Sequence, residues 1–205
     1  MKTKEEIVKN WLPRYTGQSL EKFGKYILLT NFSNYVNLFS QWHSVDIVGS
    51  DKPMQCATAD GISIINFGMG SPTAATVMDL LTAIEPEAVL FLGKCGGLKR
   101  RNKLGDLILP IAAIRGEGTS NDYFPPEVPA LPAFALQKAI STTIRDYAVD
   151  YWTELFIQQT VVYGNTMKSL KTICRKYEPM QSIWKPQAFL LLVFIIKFQP
   201  VHCYW

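Results

Sequence analysis

The chain has 205 residues, 48% hydrophobic and 19% charged, a length and composition that fit a soluble enzyme domain with one buried core. Its formal charge of +4 arises wholly after Thr153, since residues 1–153 carry equal numbers of Lys+Arg and Asp+Glu, and outside the Lys99-Arg100-Arg101 and Lys103 run the body lacks the basic face that grips nucleic acid. Four cysteines without CxxC spacing, no secretory leader, and two distant histidines, His43 and His202, point to a reduced cytoplasmic setting and away from a zinc site or a catalytic triad.

In chain order, Lys4 to Leu12 is predicted as a leading helix ended by Pro13. Lys25 to Thr30 reads as a strand opening into Asn31-Phe32-Ser33-Asn34, and a helix follows from Tyr35. Val45 to Val48, Gln55 to Thr58 and Ile62 to Phe67 read as strands, the last two joined by an Asp60-Gly61 hairpin turn. Gly68-Met69-Gly70-Ser71-Pro72 reads as a turn and Thr73 to Ala83 as a helix with apolar residues at helical spacing. Ala88 to Leu92 is a short apolar strand running into Gly93-Lys94-Cys95-Gly96-Gly97. The basic run after it reads as a solvated loop or the lining of a subunit contact. Leu107 to Ile114 is a strand interrupted at Pro110, and Ala133 to Tyr147 is a helix beginning after Pro132. Between them, Phe124 to Pro132 is too rich in proline for a regular helix or central strand and is expected as a loop. Strands alternating with helices imply an α/β layered fold.

Two glycine clusters carry the chemistry. Each ends an apolar strand, where glycine lets a ligand approach the backbone and the N–H groups of a helix start favour an anion. The second cluster adds a cation, Lys94, to its glycines. Neither has the spacing of GxGxxG or the Lys-Ser/Thr of a P-loop, so a tight turn with no ligand is the competing reading. Cys95 is expected as a small buried residue, since no base stands near it in sequence to activate a thiol.

Taken in order, Gly68-Met69-Gly70, Gly93-Lys94-Cys95-Gly96 and Gly105-Asp106-Leu107 match the GMG, GxCG and GD(L/I) pattern of the nucleoside phosphorylase and nucleosidase superfamily, which the chain resembles from its start through Trp152. The arm Arg115-Gly116-Glu117-Gly118-Thr119-Ser120 with Tyr123 to Pro129 is similar to the AMP nucleosidase branch in particular. The resemblance implies a three-layer α/β/α fold with a mixed central sheet, C-terminally incomplete here, in a cytoplasmic homo-oligomer that needs no cofactor or metal and touches no nucleic acid or membrane. It also implies hydrolysis of AMP to adenine and ribose 5-phosphate. Substrate contacts would come from Asn34, Gly68, Met69, Gly70, Gly93, Lys94, Cys95, Gly96, Arg115, Glu117, Thr119, Ser120 and Tyr123. Lys94 would meet the 5′-phosphate and Tyr123 would flank the base.

Departures from the phosphorylase pattern favour hydrolysis over phosphorolysis. Phe91 stands where a phosphorylase usually has Arg, Lys94 where it has Ser, and Asn34 where it tends to have Arg, so free phosphate is poorly held. The superfamily's Met-Glu pair and later Asp, which grip the ribose and protonate the purine, have no match after Thr153, and the catalytic residues are therefore unassigned.

Residues 154–205 resemble nothing in the family. They hold one glycine, Gly164, two acidic residues, Glu154 and Glu178, and an apolar run from Ala188 to Ile196 too short to span a bilayer. Translation in a shifted frame explains the break. Read one base earlier, the codons of Ile183-Trp184-Lys185-Pro186 permit Asp-Met-Glu-Thr with the Glu forced, those of His202 to Trp205 force Leu-Leu-Leu, and those after Thr153 permit Gly-Thr-Val-Tyr-Thr-Thr-Asn-Arg-Arg. Residues 1–153 are thus expected to be the larger part of a catalytic domain and residues 154–205 an aberrant tail. Two other readings stand beside this one: a purine nucleoside phosphorylase or another nucleosidase, and a non-catalytic nucleotide-binding protein whose tail evolved for a partner.

Overall fold

The computed structural model describes residues 3–95, 102–153, 155–159 and 190–196, which fall into two compact units. In the first, α1 (Lys4–Thr16) begins on a capping box, with the Thr3 side chain accepting from the Glu6 amide and the Glu6 carboxylate accepting from the Thr3 amide. The helix does not stop at Pro13 as the sequence predicts. Proline removes one helical hydrogen bond, but Leu12 and Thr16 on either side of it are fully buried, Thr16 Oγ1 donates to the Leu12 carbonyl at 2.8 Å, and Gly17 closes the end in the left-handed region with its amide on Pro13 O at 2.8 Å.

A single turn of 3₁₀ helix (Leu20–Lys22) leads into β1 (Tyr26–Thr30) and α2 (Ser33–His43). The expected strand over Val45–Val48 is absent. Ser40 ties up Val45 from both sides, accepting its amide at the carbonyl and donating its hydroxyl to the Val45 carbonyl, so the segment leaves the helix as a cap and only Val48 bridges to Cys56. β2 (Cys56–Ala59) and β3 (Ile62–Asn66) form an antiparallel hairpin whose turn residues, Asp60 and Gly61, have φ of 51° and 78°, as the Asp-Gly pair predicts. β3 runs parallel to β1 in register from Tyr26↔Ile62 to Thr30↔Asn66. α3 (Ser71–Leu81) and β4 (Ala88–Cys95) follow, and the strands of this unit lie in the order β2-β3-β1-β4.

The period-2 pattern divides the core by sheet face. Ile27, Leu29 and Ile65 join Val8 and Leu12 of α1 and Val77, Leu80 and Leu81 of α3, while Ile64 and Ala57 join Val36 and Phe39 of α2. Helices therefore cover both faces of the sheet.

The second unit takes in Ser71 and Pro72, the first two residues of α3, and β4 from Leu92 onward. β4 runs through Gly93 and Lys94 to Cys95, so these residues are not the turn the sequence predicts. Gly93 is buried and Lys94 exposed in strand alternation, and Gly93 needs no left-handed backbone. Gly96, Gly97 and the basic run to Arg101 lie outside the described residues. β5 (Leu107–Ile108) and β6 (Ala112–Gly116) are separated at Pro110 as expected. After a second 3₁₀ turn (Thr119–Asp122) and α4 (Phe134–Asp146) come β7 (Tyr151–Trp152), β8 (Leu155–Gln159) and β9 (Leu190–Ile196). β5 pairs in parallel with β7 and β9, and β6 pairs in parallel with β8 over five residues. Asp106 fastens the start of this unit, its Oδ2 accepting from the Lys103 amide and the Trp152 indole, both at 2.8 Å.

Candidate active site

Parallel strands put their carboxyl ends at one edge, where α/β folds bind ligands. In the first unit that edge is formed by the segments leaving β1 and β3, and Asn66 joins them: Nδ2 donates to Ser33 Oγ at 2.9 Å and Oδ1 accepts from the Gly68 amide at 3.0 Å. Gly68 has φ of 81° and open space where a Cβ would stand. Asn34 is exposed in the first turn of α2, a helix without a side-chain cap, and Met69 is exposed beyond Gly68. The structure thus places Asn34, Gly68 and Met69 on the two segments that Asn66 ties together.

One residue here escapes the sequence. Asn31 follows β1 directly, and its Oδ1 is buried with no hydrogen-bond partner among the described residues. Leaving such an acceptor unpaired costs about 1–3 kcal/mol, and a buried unpaired polar atom calls for an explanation such as a bound group. No periodicity or motif marks an asparagine in that position; only its burial does.

In the second unit, β6 delivers Arg115 into the arm that follows. Its Nε donates to Ser120 Oγ at 2.9 Å, Nη1 to the carbonyls of Pro125 and Val128 at 2.7 and 2.8 Å, and Nη2 to the carbonyls of Ser120 and Phe124 at 2.8 and 2.7 Å and to Asn121 Oδ1 at 3.0 Å. Ser120 in turn donates its hydroxyl to Glu117 Oε1 and its amide to the same carboxylate. Burial pushes the Glu117 carboxyl up, but hydrogen bonds from the Ser120 hydroxyl and amide, the Ser71 hydroxyl and the Thr119 amide outweigh it and hold the group below the usual carboxylate range. Tyr123 is half-exposed, with its amide on Ser120 O at 3.1 Å. Ala130 returns the arm to β6 by bridging Ala113.

The remaining expected residues of this unit are Gly70, with φ of 102°, and the strand residues Gly93, Lys94 and Cys95. Burial pushes the Cys95 thiol up to about 12, which keeps it protonated and suits the small-residue reading rather than a nucleophile. Phe91, the residue two before Gly93, belongs to the first unit and packs on Phe67 with ring centroids 5.7 Å apart, so that position is committed to the core. In the second unit the described groups at these positions are an exposed lysine at Lys94, the Arg115 guanidinium engaged within the arm, the engaged Glu117 carboxylate, and the hydroxyls of Thr119, Ser120 and Tyr123. Among the described residues, no helix is long and apolar enough to cross a membrane.

The sequence pattern of the phosphorylase superfamily matches residues 27–170. AMP nucleosidase of Escherichia coli K12 is 28% identical over 166 residues, covering 63% of this chain and 34% of that protein. Guanosine phosphorylase of Halorubrum lacusprofundi is 35% identical over 80 residues, 38% of this chain and 33% of that protein. The chain therefore spans about a third of the length of these curated relatives. Among solved structures, the AMP nucleosidase from Bacteroides thetaiotaomicron VPI-5482 superposes with a TM-score of 0.84 at 48% identity, covering 93% of this chain and 90% of that one. A uridine phosphorylase from Vibrio fischeri ES114 superposes at 0.73 with 19% identity over 85% of this chain and 78% of that one, a likeness of fold.

Proposed function

The chain belongs to the phosphorylase superfamily, and within it we propose that this gene encodes an AMP nucleosidase, which adds water across the N-glycosidic bond of AMP to give adenine and ribose 5-phosphate. The observation that carries this reading is the 48% identity to an AMP nucleosidase structure over 93% of the chain. The site chemistry supports it. Phe91 is packed on Phe67 where a phosphorylase carries an arginine for free phosphate, and the helix start after β1 presents Asn34 and the buried Asn31 oxygen in place of a cationic grip.

In this reading Lys94 meets the 5′-phosphate and Tyr123 flanks the purine. The substrate brings its own phosphate, so none is needed as co-substrate. Hydrolysis also needs a proton delivered to the leaving purine and stabilisation of positive charge at C1′. The groups that would supply these belong to the stretch after Thr153, which we read as translated out of frame. The 205-residue chain is then inactive as written, and the intact enzyme is a cytoplasmic homo-oligomer of nucleotide salvage.

The test is made with the reading frame restored. Lys94→Ala should weaken kcat/KM for AMP far more than for adenosine, because a charge-assisted phosphate contact is worth about 1.5–3 kcal/mol. Equal losses for the two substrates would remove Lys94 from the phosphate. Dependence of base release on added phosphate would turn the reading to a phosphorylase.

A further inference from the structure

The arm after β6 is short of backbone donors. Pro125, Pro126, Pro129 and Pro132 have no N–H, and among the described residues the arm joins no strand apart from the Ala113–Ala130 bridge, so its carbonyls have few ladder partners. Four of those carbonyls, from Ser120, Phe124, Pro125 and Val128, turn toward one point and would repel one another there without a cation. Arg115 is that cation. A guanidinium has five N–H donors in a rigid plane, and six acceptors surround this one. Its capacity is used inside the arm. Ser120 continues the chain of bonds by accepting from Arg115 and donating to Glu117.

We infer that Arg115 and Glu117 are positioning residues: neither meets the substrate, and together they fold the arm from Gly118 to Ala130 so that it presents Tyr123. That Tyr123 is presented to the base rests on the proposed function; the folding role stands without it.

The inference is tested on the full 205-residue chain with Arg115→Met, Arg115→Lys and Glu117→Gln, reading amide hydrogen exchange and the binding of AMP and of ribose 5-phosphate by calorimetry. In Arg115→Met, exchange at Asn121, Tyr123, Phe124 and Val128 should quicken by roughly tenfold or more while β1 and β3 keep their protection. Arg115→Lys should fall between, since one ammonium cannot reproduce the planar fork. AMP should bind more weakly, and ribose 5-phosphate, which lacks the base, should bind as before. Weakened ribose 5-phosphate binding with an unchanged arm would make Arg115 a ligand contact and overturn the inference, as would no change in either readout. If Arg115→Met unfolds the chain, Glu117→Gln decides on the same two readouts. Should the wild-type chain bind neither compound, the ribose-gripping pair lost after Thr153 accounts for it, and arm exchange alone judges the role of Arg115; the proposed function fails only if the frame-restored chain also binds neither.

Discussion

Gly49 is held against the carbonyl oxygen of Thr16: a Cβ built on it would lie 2.0 Å from that atom, at a backbone φ of 73°. Gly61 has nearly the same conformation, φ of 78°, with nothing within 4 Å. The pair separates steric clash from backbone strain. Gly61→Ala should cost about 1–2 kcal/mol through the left-handed region alone, and Gly49→Ala distinctly more, because the end of α1 must also move. Urea unfolding of both variants measures the difference, and equal losses would show that the Thr16 contact yields freely. Local chemistry of this kind decides what a sequence makes legible. Asp60-Gly61 is readable because the turn type demands those two residue types. Asn31 is not, because its significance lies in which atoms surround it. Arg115 stands between the two: its place in a motif is visible, but its partners are backbone carbonyls five to thirteen residues away, which side-chain identity does not encode.

Among the elements, the order of the arm depends on charge. Glu117 titrates below the usual carboxylate value because folded groups donate to its ionised form. Its contribution to arm order is therefore complete above the unfolded carboxylate pKa and is lost as pH falls through the lower folded value. Protection of the Thr119 and Ser120 amides should hold from neutral pH down through the ordinary carboxylate range and collapse only below it, and Glu117→Gln should flatten that response. A Glu117 carboxyl found by NMR to titrate at or above the ordinary value would end this account. Elsewhere, element boundaries departed from the sequence where tertiary packing overruled a local rule. Pro13 should end α1, yet the burial of Leu12 and Thr16 carries the helix through it. Gly93 should begin a turn, yet a buried strand position tolerates a residue without a side chain, and β4 continues. Val45 to Val48 has the composition of a strand but is captured by the Ser40 cap. The β2–β3 hairpin was readable because the Asp60-Gly61 turn joins two strand-like runs.

At the scale of the whole molecule, balanced charge ends near Thr153, and all of the +4 excess lies beyond it. The superfamily match does not break there as the sequence reading expects but runs on to residue 170. That β8 forms over Leu155–Gln159 does not decide between frames, since the alternative text at the same codons, Gly-Thr-Val-Tyr-Thr-Thr, is equally rich in β-branched and aromatic residues. α4 contains no fully buried residue, and Phe134 at its start and Tyr147 at its C-cap are 79% and 78% exposed. Sequencing the gene across the Thr153 codon and inserting the missing base should lengthen the product past Trp205, bring back the Met-Glu pair and the later Asp, and yield adenine from AMP. The unaltered chain should yield none, because each general acid or base group contributes roughly 10²- to 10⁴-fold in rate and the charge stabilisation would be lost with them. Adenine formation by the 205-residue chain, or a restored frame that stays silent, would each defeat the frameshift reading; the first would also require a proton donor among residues that have so far been given no catalytic role.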